Sequence, residues 1–441
     1  MKKYLLLLLL FGCTVEKQDL TDTDPVFRNE ENIITSNALQ QQTVPIPTET
    51  RALNWDYADY FSENSDMNHY FAGKFEVSDR INFGWPSKNK YARTSMPIIA
   101  QNKLFVCNGN GTLFAFDLNN NKELWSSSLY SFGRKISSFT SFLTATLSHG
   151  DDTIFMATND GFLIAVNAKT GEKKWMINLE NPLRSAFKYD DGLVYGITSS
   201  NKVFAIDANT GEIIWKYEHT DTQRVTLGKP SVLILQDKIV AAFSTSEAMA
   251  LDKKTGKIMW VAEVNYKDGD NLFRMIDIDT TPTKVGDYVM IGGINGNVQF
   301  VKEDTGQVVS GYLGSLSSSV VSSGDFAFFM DKDSRLMCFH IPSGGIKWYK
   351  EFKNKKTLAI PAYLNAGNNK INISFEYGGP ILIDSNLIII DQFGALFVVD
   401  PQTGDIKKKI KITADVHKNP IVVDGKIYLI DDAFGFVLIM Q

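Results

Sequence analysis

A thirteen-residue pattern repeats along most of this chain and limits what the chain can fold into. LIAVNAKTGEKKW at 163–175 has close copies in VFAIDANTGEIIW at 203–215, AMALDKKTGKIMW at 248–260 and LFAFDLNNNKELW at 113–125. More worn copies are VQFVKEDTGQVVS at 298–310, LMCFHIPSGGIKW at 336–348 and LFVVDPQTGDIKK at 396–408. The apolar residues before each turn alternate with the period of a strand buried on one or both faces. An Asp or Asn then opens a tight turn by bonding its backbone, and Gly supplies the positive φ that ends it. Four residues beyond that Gly, or beyond the Asn121 that replaces it, a Trp stands in five of the seven copies. A ring at that position can pack on the neighbouring repeat, and β units recurring every ~40–50 residues stack side by side.

Counting strands sets the architecture. Segments able to supply three inner strands open near Met96, Gly150, Tyr189, Pro230, Pro282, Val321, Pro380 and Pro420, eight in all. An outer strand bearing the Trp position follows at 125, 175, 215, 260, 310, 348 and 408, which is one short. The stretch RINFGW at 80–85 precedes the first repeat, and Trp85 lies 40 residues before Trp125. The expectation is an all-β, eight-bladed propeller of four-stranded antiparallel blades in residues 75–441, closed by an N-terminal strand that pairs with the C-terminal blade. Closure removes the long unpaired edge of an open stack. Ser310 and Lys408 replace Trp, so those two junctions are expected to be the softest. The longest interval between outer strands contains an insertion at 353–377 that begins with Lys353, Lys355 and Lys356, a solvated loop on composition.

The N-terminus carries a different message. Lys2 and Lys3 precede a short apolar run at 4–11, too short to span a bilayer, which reads as the core of a signal peptide at 1–12. Leu10-Phe11-Gly12-Cys13 resembles a bacterial lipobox, which implies that Cys13 becomes a lipidated N-terminus. Thr14 rather than Asp follows it, which points to the periplasmic face of the outer membrane. Residues 13–50 are polar and read as a flexible tether, whereas the aromatic-rich 51–74 reads as a segment that wraps the outside of the folded domain. The net charge of −5 is evenly spread, which excludes the basic stripe of a nucleic-acid binder. Cys107 and Cys338 read as buried thiols.

The Asp/Asn-x-x-Thr-Gly-x-x-x-Trp repeat resembles that of the quinoprotein propellers. Members with dehydrogenase activity carry an adjacent cysteine pair and an acidic calcium cluster; no two cysteines are adjacent here, and the five histidines lack metal-ligand spacing. No cofactor, metal site or catalytic residue is therefore expected, and phosphate-loop and nucleophile-elbow motifs are missing. A lipid anchor with such blades is similar to the BamB family of outer-membrane assembly lipoproteins. RMIDIDTTP at 274–282 resembles the family's run entering blade five, and NLENPLR at 178–184 its loop after blade two. Asn54-Trp55 and Asn68-His69 are similar to the alphaproteobacterial branch. The resemblance implies a non-enzymatic scaffold whose Leu183, Arg184, Arg274, Asp277 and Asp279 bind the POTRA repeats of BamA, with unfolded barrel proteins as further candidate partners. Both loops follow an outer strand, so they would share one rim. Arg offers a planar fork to carboxylates and Asp accepts from partner cations. The alternatives are an envelope propeller that binds a small ligand or peptidoglycan in its central channel, and a quinoprotein-like enzyme.

Overall fold

The computed structural model describes residues 33, 35–84, 94–128, 145–183, 185–220, 230–264, 278, 280–292, 298–312, 314–352, 356–359, 370–373, 377–412, 416, 419–431 and 435–441. From Thr35 onward these form one compact unit. It is all-β, with eight antiparallel sheets in a propeller-like arrangement. In chain order these are sheets one (98–128), two (145–178), three (188–218), four (233–263), five (283–312), six (316–351), seven (377–411) and eight (421–440). The first strands of sheets two and six begin earlier than their expected openings at Gly150 and Val321, at Ala145 and Leu316. Sheet seven departs from the four-strand rule: Asn68–His69 and Glu49–Thr50 add to its first strand in parallel. Within the 353–377 insertion, Lys356–Ala359 pairs with Lys370–Ile373 as a separate hairpin.

The repeat explains how each sheet meets the next. In the third turn of sheet three, the Asp207 carboxylate accepts from the backbone N–H of Asn209 and Thr210. The Thr210 N–H bond holds that carboxyl below its ordinary range, against the opposing effect of burial. One position further along, a β-bulge follows the Ala205–Trp215 pair, and the same register shift recurs at the equivalent pair of the other repeats. The bulge turns the tryptophan toward the neighbouring sheet. Trp125, Trp175, Trp215, Trp260 and Trp348 donate their indole N–H to the carbonyls of Ala168, Ala208, Lys253, Glu303 and Pro401, each in the third turn of the following sheet. Each ring also lies flat on that turn's glycine. A Cβ on Gly256 would fall 2.7 Å from Trp215, and one on Gly404 2.6 Å from Trp348. The turn thus needs glycine twice, for its positive φ and for the ring above it.

The irregular copies collect mainly at one seam. Sheet eight takes its fourth strand from Val77–Asn82, which pairs antiparallel with Phe436–Met440. Its bulge follows Asp79–Ile439, so Asp79 stands where the other sheets place tryptophan. The sequence spacing assigned that place to Trp85, which lies outside the described residues. Asn121, in the glycine position of sheet one, donates its side-chain amide to Asp79. No ring covers Asn121, and that is why a side chain fits there. With its fourth strand supplied from far upstream, sheet eight also has no third hairpin turn for sheet seven to cover, which accounts for Lys408. The junction at Lys408, expected to be soft, lies beside the largest core cluster, which runs through sheets six, seven, eight and one. Ser310 is a true loss: its hydroxyl reaches the Ile341 carbonyl, and a Cβ added to Gly344 would meet only the Ser310 Cβ, at 3.5 Å.

Residues 44–72 thread between the sheets. Trp55 exchanges backbone bonds with Ile99 of sheet one, and Asp56 accepts from His149 of sheet two. Glu63 receives the Lys188 ammonium of sheet three at 2.8 Å and the Ile234 N–H of sheet four at 2.9 Å. Ser65 bonds the backbone of Lys284 in sheet five and of Ser322 in sheet six. His69 pairs with Ile383 of sheet seven, and Ala52 accepts from Asp424, directly after the first strand of sheet eight. One short segment therefore reaches the innermost part of every sheet. Lys188 is fully buried there, held by Ser62, Glu63 and Asp59 and lying over the Tyr57 ring. Further upstream the expected tether is shorter than residue 50. Leu39 and Val44 are buried, and Lys347 donates to the carbonyls of Leu39, Gln40 and Gln42.

Two stability outcomes follow from this packing. Trp260→Ala should destabilise the unit by roughly 3 kcal/mol or more, since it strips a buried ring from Gly306. Lys408→Ala should stay within about 0.5 kcal/mol; thermal melts of the two variants compare them. His69, 1% exposed among Trp55, Tyr60 and Phe61, has its pKa pushed down to about 4 by burial. The unfolded chain takes up that proton near pH 6.5 and the folded one only near 4. The associated stability is thus complete above 6.5 and is lost as pH falls toward 4, by roughly 3 kcal/mol in all. His69→Leu should flatten that part of the stability–pH curve relative to the parent chain, measured by denaturant unfolding from pH 7 to 4.5.

Candidate partner-binding rim

Among the described residues, the chain leaves the outer strand on the same side in six sheets. The residue following the outer strand donates its N–H to the turn between strands two and three of its own sheet: Leu179 to Gly161, His219 to Asn201, Val264 to Ser246, Phe352 to Ser334 and Ile412 to Gly394. Phe83 does the same to Gly435 in sheet eight. The loops after sheets two and four, singled out in the sequence, therefore lie on one rim.

The loop after sheet two is shaped by its own polar groups. The Asn178 side chain accepts from the Glu180 N–H, Glu180 adopts a positive φ, and Ser199 donates its N–H to the Pro182 carbonyl. Leu183, expected to face a partner, is buried at 7% exposure beside Phe155, Phe187 and Phe204, with a bridge to Thr198. Its apolar side chain anchors the loop, and the adjoining Arg184 lies outside the described residues. In the loop after sheet four, Arg274, Asp277 and Asp279 also lie outside them. Between the two aspartates, Ile278 has 0% exposure and packs with Leu235, Val264, Val289 and Ile291. Each loop thus buries an aliphatic side chain directly beside a charged residue.

Hydrogen bonds link the two loops through the one between them. Ser185 donates its hydroxyl to the Pro230 carbonyl, Ser231 its hydroxyl to Ala186, and the Ser231 N–H reaches Thr281. The intervening loop contributes a polar cluster that the sequence did not disclose. His219 contacts Glu247 at 2.6 Å and Thr245 at 3.0 Å, with its ring against Phe243. Burial alone would raise the Glu247 pKa, but hydrogen bonds from Thr245 and His219 bring it below its ordinary value. His219 and Glu247 sit 28 residues apart in the chain, and neither belongs to a motif, so only the fold joins them.

The opposite possibility, a ligand on the axis, meets residues 44–72 at the first strands. Among the described residues no group of His, Cys, Asp and Glu is placed to hold a metal ion. Cys107 and Cys338 are separately buried thiols, both pushed up in pKa by burial. These residues do not fit a quinone with its calcium and cysteine pair. Among the described residues no helix is long and apolar enough to cross a membrane.

Known proteins share this chain's repeat and fold. A family model described as outer membrane protein assembly factor BamB matches residues 131–350, and a β-propeller model of glucose, ethanol and alcohol dehydrogenases matches 78–175. The outer membrane protein assembly factor BamB of Shewanella oneidensis is 24% identical over 359 residues, covering 80% of this chain and 86% of that protein. That of Escherichia coli K12 is 24% identical over 337 residues, covering 76% and 81%. Among solved structures, BamB from Moraxella catarrhalis matches with a TM-score of 0.65 at 18% identity, covering 83% of this chain and 99% of that one. A quinohemoprotein alcohol dehydrogenase from Comamonas testosteroni shares the fold at a TM-score of 0.62 and 11% identity, covering 89% and 81%. By its repeat, its fold and relatives that align along most of its length, the chain is similar to the BamB outer membrane protein assembly factors.

Proposed function

We propose that this chain is a non-enzymatic scaffold in the assembly of outer-membrane β-barrel proteins, and that its strand-connecting rim binds the POTRA repeats of BamA. The observation that carries the role is the alignment with outer membrane protein assembly factors over 80% of the chain. The rim reading draws on the bonded path from Ser185 through Pro230 and Ser231 to Thr281. That path ties the base of the Arg184 loop to the base of the Asp277–Asp279 loop. Buried Leu183 and Ile278 fix those bases. Arg184 and Arg274 engage partner carboxylates, and Asp277 and Asp279 accept from partner Arg or Lys.

The proposal extends to the architecture. The eight sheets form a closed eight-bladed ring at 75–441, with Val77–Asn82 completing the eighth blade; Asn121 bonding to Asp79 supports this closure. The segment at 51–74 seals the ring from inside. Residues 1–12 are a signal peptide, and Cys13 carries the lipid that holds the protein on the periplasmic face of the outer membrane.

Two experiments test the parts separately. Arg184→Ala, and Asp277→Ala with Asp279→Ala, should each weaken binding of a purified POTRA fragment by about one to two powers of ten, from charge-assisted contacts worth roughly 1.5–3 kcal/mol. The loss should shrink as salt is raised. Asp207→Ala, in a turn away from this rim, should leave binding intact. Melting curves run in parallel distinguish lost contacts from lost folding, and rim variants that bind like the parent place the partner elsewhere. For the anchor, Cys13→Ser should move the folded protein to the soluble fraction after a high-salt wash. Retention through that wash in cells lacking BamA would contradict acylation.

A further inference from the structure

The outer strand of sheet seven, Ile406–Lys411, reads IKKKIK, and its four lysines are all exposed. It contains no acidic residue. Sheet two's outer strand, KKWMIN, has two lysines and no acid, and the others are mixed or apolar: KELWSSS in sheet one, IIWKYE in three, IMWVAE in four, VVSGY in five, GIKWYKE in six and VSDRIN in eight. Lysines on a free edge strand discourage pairing with another chain. That ordinary role does not account for four lysines on one edge when edges such as Ile258–Glu263 have none. The neighbouring acids offset only part of the charge. Asp400 lies 2.8 Å from Lys407, and Asp405 is engaged by Thr403. Lys409 lies over the Phe397 ring, and Lys408 and Lys411 sit exposed beside it.

A second observation concerns where the chain enters the folded unit. Thr35 bridges to Ile346, and Ser36 donates its N–H to the Ile346 carbonyl, on the outer strand of sheet six. Gln402, in the turn that leads into the lysine strand, exchanges two hydrogen bonds with the backbone of Val44, at 2.8 and 2.7 Å. The first residues of the folded unit therefore lie at the outer edge of sheets six and seven, beside the lysine strand. Cys13 stands 22 residues before Thr35 in the chain.

We propose that the outer edge of sheet seven lies on the membrane surface and that Lys407, Lys408, Lys409 and Lys411 bind the headgroups of anionic phospholipids. The orientation part rests on the lipid-anchor reading; the binding part does not. An acyl chain leaving at this edge brings it repeatedly to the bilayer, and each lysine near an anionic surface strengthens binding by about fivefold. The face opposite this edge is then turned away from the bilayer.

The test uses the full-length chain carrying Cys13→Ser, which no acyl group can hold, in flotation with vesicles. Vesicles of phosphatidylcholine with about a third phosphatidylglycerol should carry the protein, and vesicles of phosphatidylcholine alone should not. Half-molar salt should release it, because the surface potential is screened within ~3–10 Å. Changing all four lysines to Glu should abolish flotation, and changing them to Gln should weaken it by more than a hundredfold. Lys254→Glu with Lys257→Glu, in and after the third turn of sheet four, should have no effect. Melting curves establish that each variant is folded. Equal binding to neutral vesicles, no binding to either kind, or a folded quadruple variant that floats like the parent overturns the proposal. None of these outcomes depends on acylation, which the cell fractionation of Cys13→Ser reads independently.

Discussion

The fold rests on a tryptophan of one sheet lying flat on a glycine of the next. Each partner constrains the other: the ring needs a bare Cα beneath it, and the turn needs the ring to cover its exposed backbone. Trp260 over Gly306 shows both sides, with the indole N–H closing on the Glu303 carbonyl. Dispersion and area burial favour the contact, and the single hydrogen bond fixes its direction. Because the bulge before each tryptophan has the same register, every sheet is turned toward its successor in the same way. A stack built by one repeated local rule then needs few other long-range instructions.

That rule is also what made the fold legible. The seven copies of the repeat located sheets one to seven from residues that neighbour one another in sequence. Where the rule is suspended, the sequence misled. Trp85 has the right spacing to be an outer-strand tryptophan, yet register puts Asp79 there. A spacing argument assumes a hairpin between third and fourth strands, and sheet eight has none. Asn121 in the glycine position and Lys408 in the tryptophan position looked like departures from the repeat, yet both follow from that same missing hairpin. The route of residues 44–72 was illegible for a different reason. Its contacts, such as Glu63 with Lys188 and Ile234, join residues more than a hundred positions apart and leave no period.

The candidate site was legible by motif and not by geometry. Leu183-Arg184 and Ile278-Asp279 look alike in sequence, an aliphatic residue beside a charge, and sequence alone does not say which member faces outward. Burial of Leu183 and Ile278 decides it. The aliphatic member of each pair is therefore the anchor. His219 and Glu247 lay outside any reading of the sequence, because their neighbours come from the loop after sheet three and the second turn of sheet four.

The bonding of residues 52–69 to each of the eight sheets has a physical consequence. A propeller that keeps its centre open can house a cofactor among the first strands. Here Trp55, His69 and the Lys188–Glu63 pair occupy the place where those strands come together. Burying a lysine fully is unfavourable unless carboxylates and ring faces meet it, and here Glu63, Asp59 and Tyr57 all do. The N-terminal segment and the sheets therefore require each other: removing the segment would leave Lys188 as an uncompensated charge.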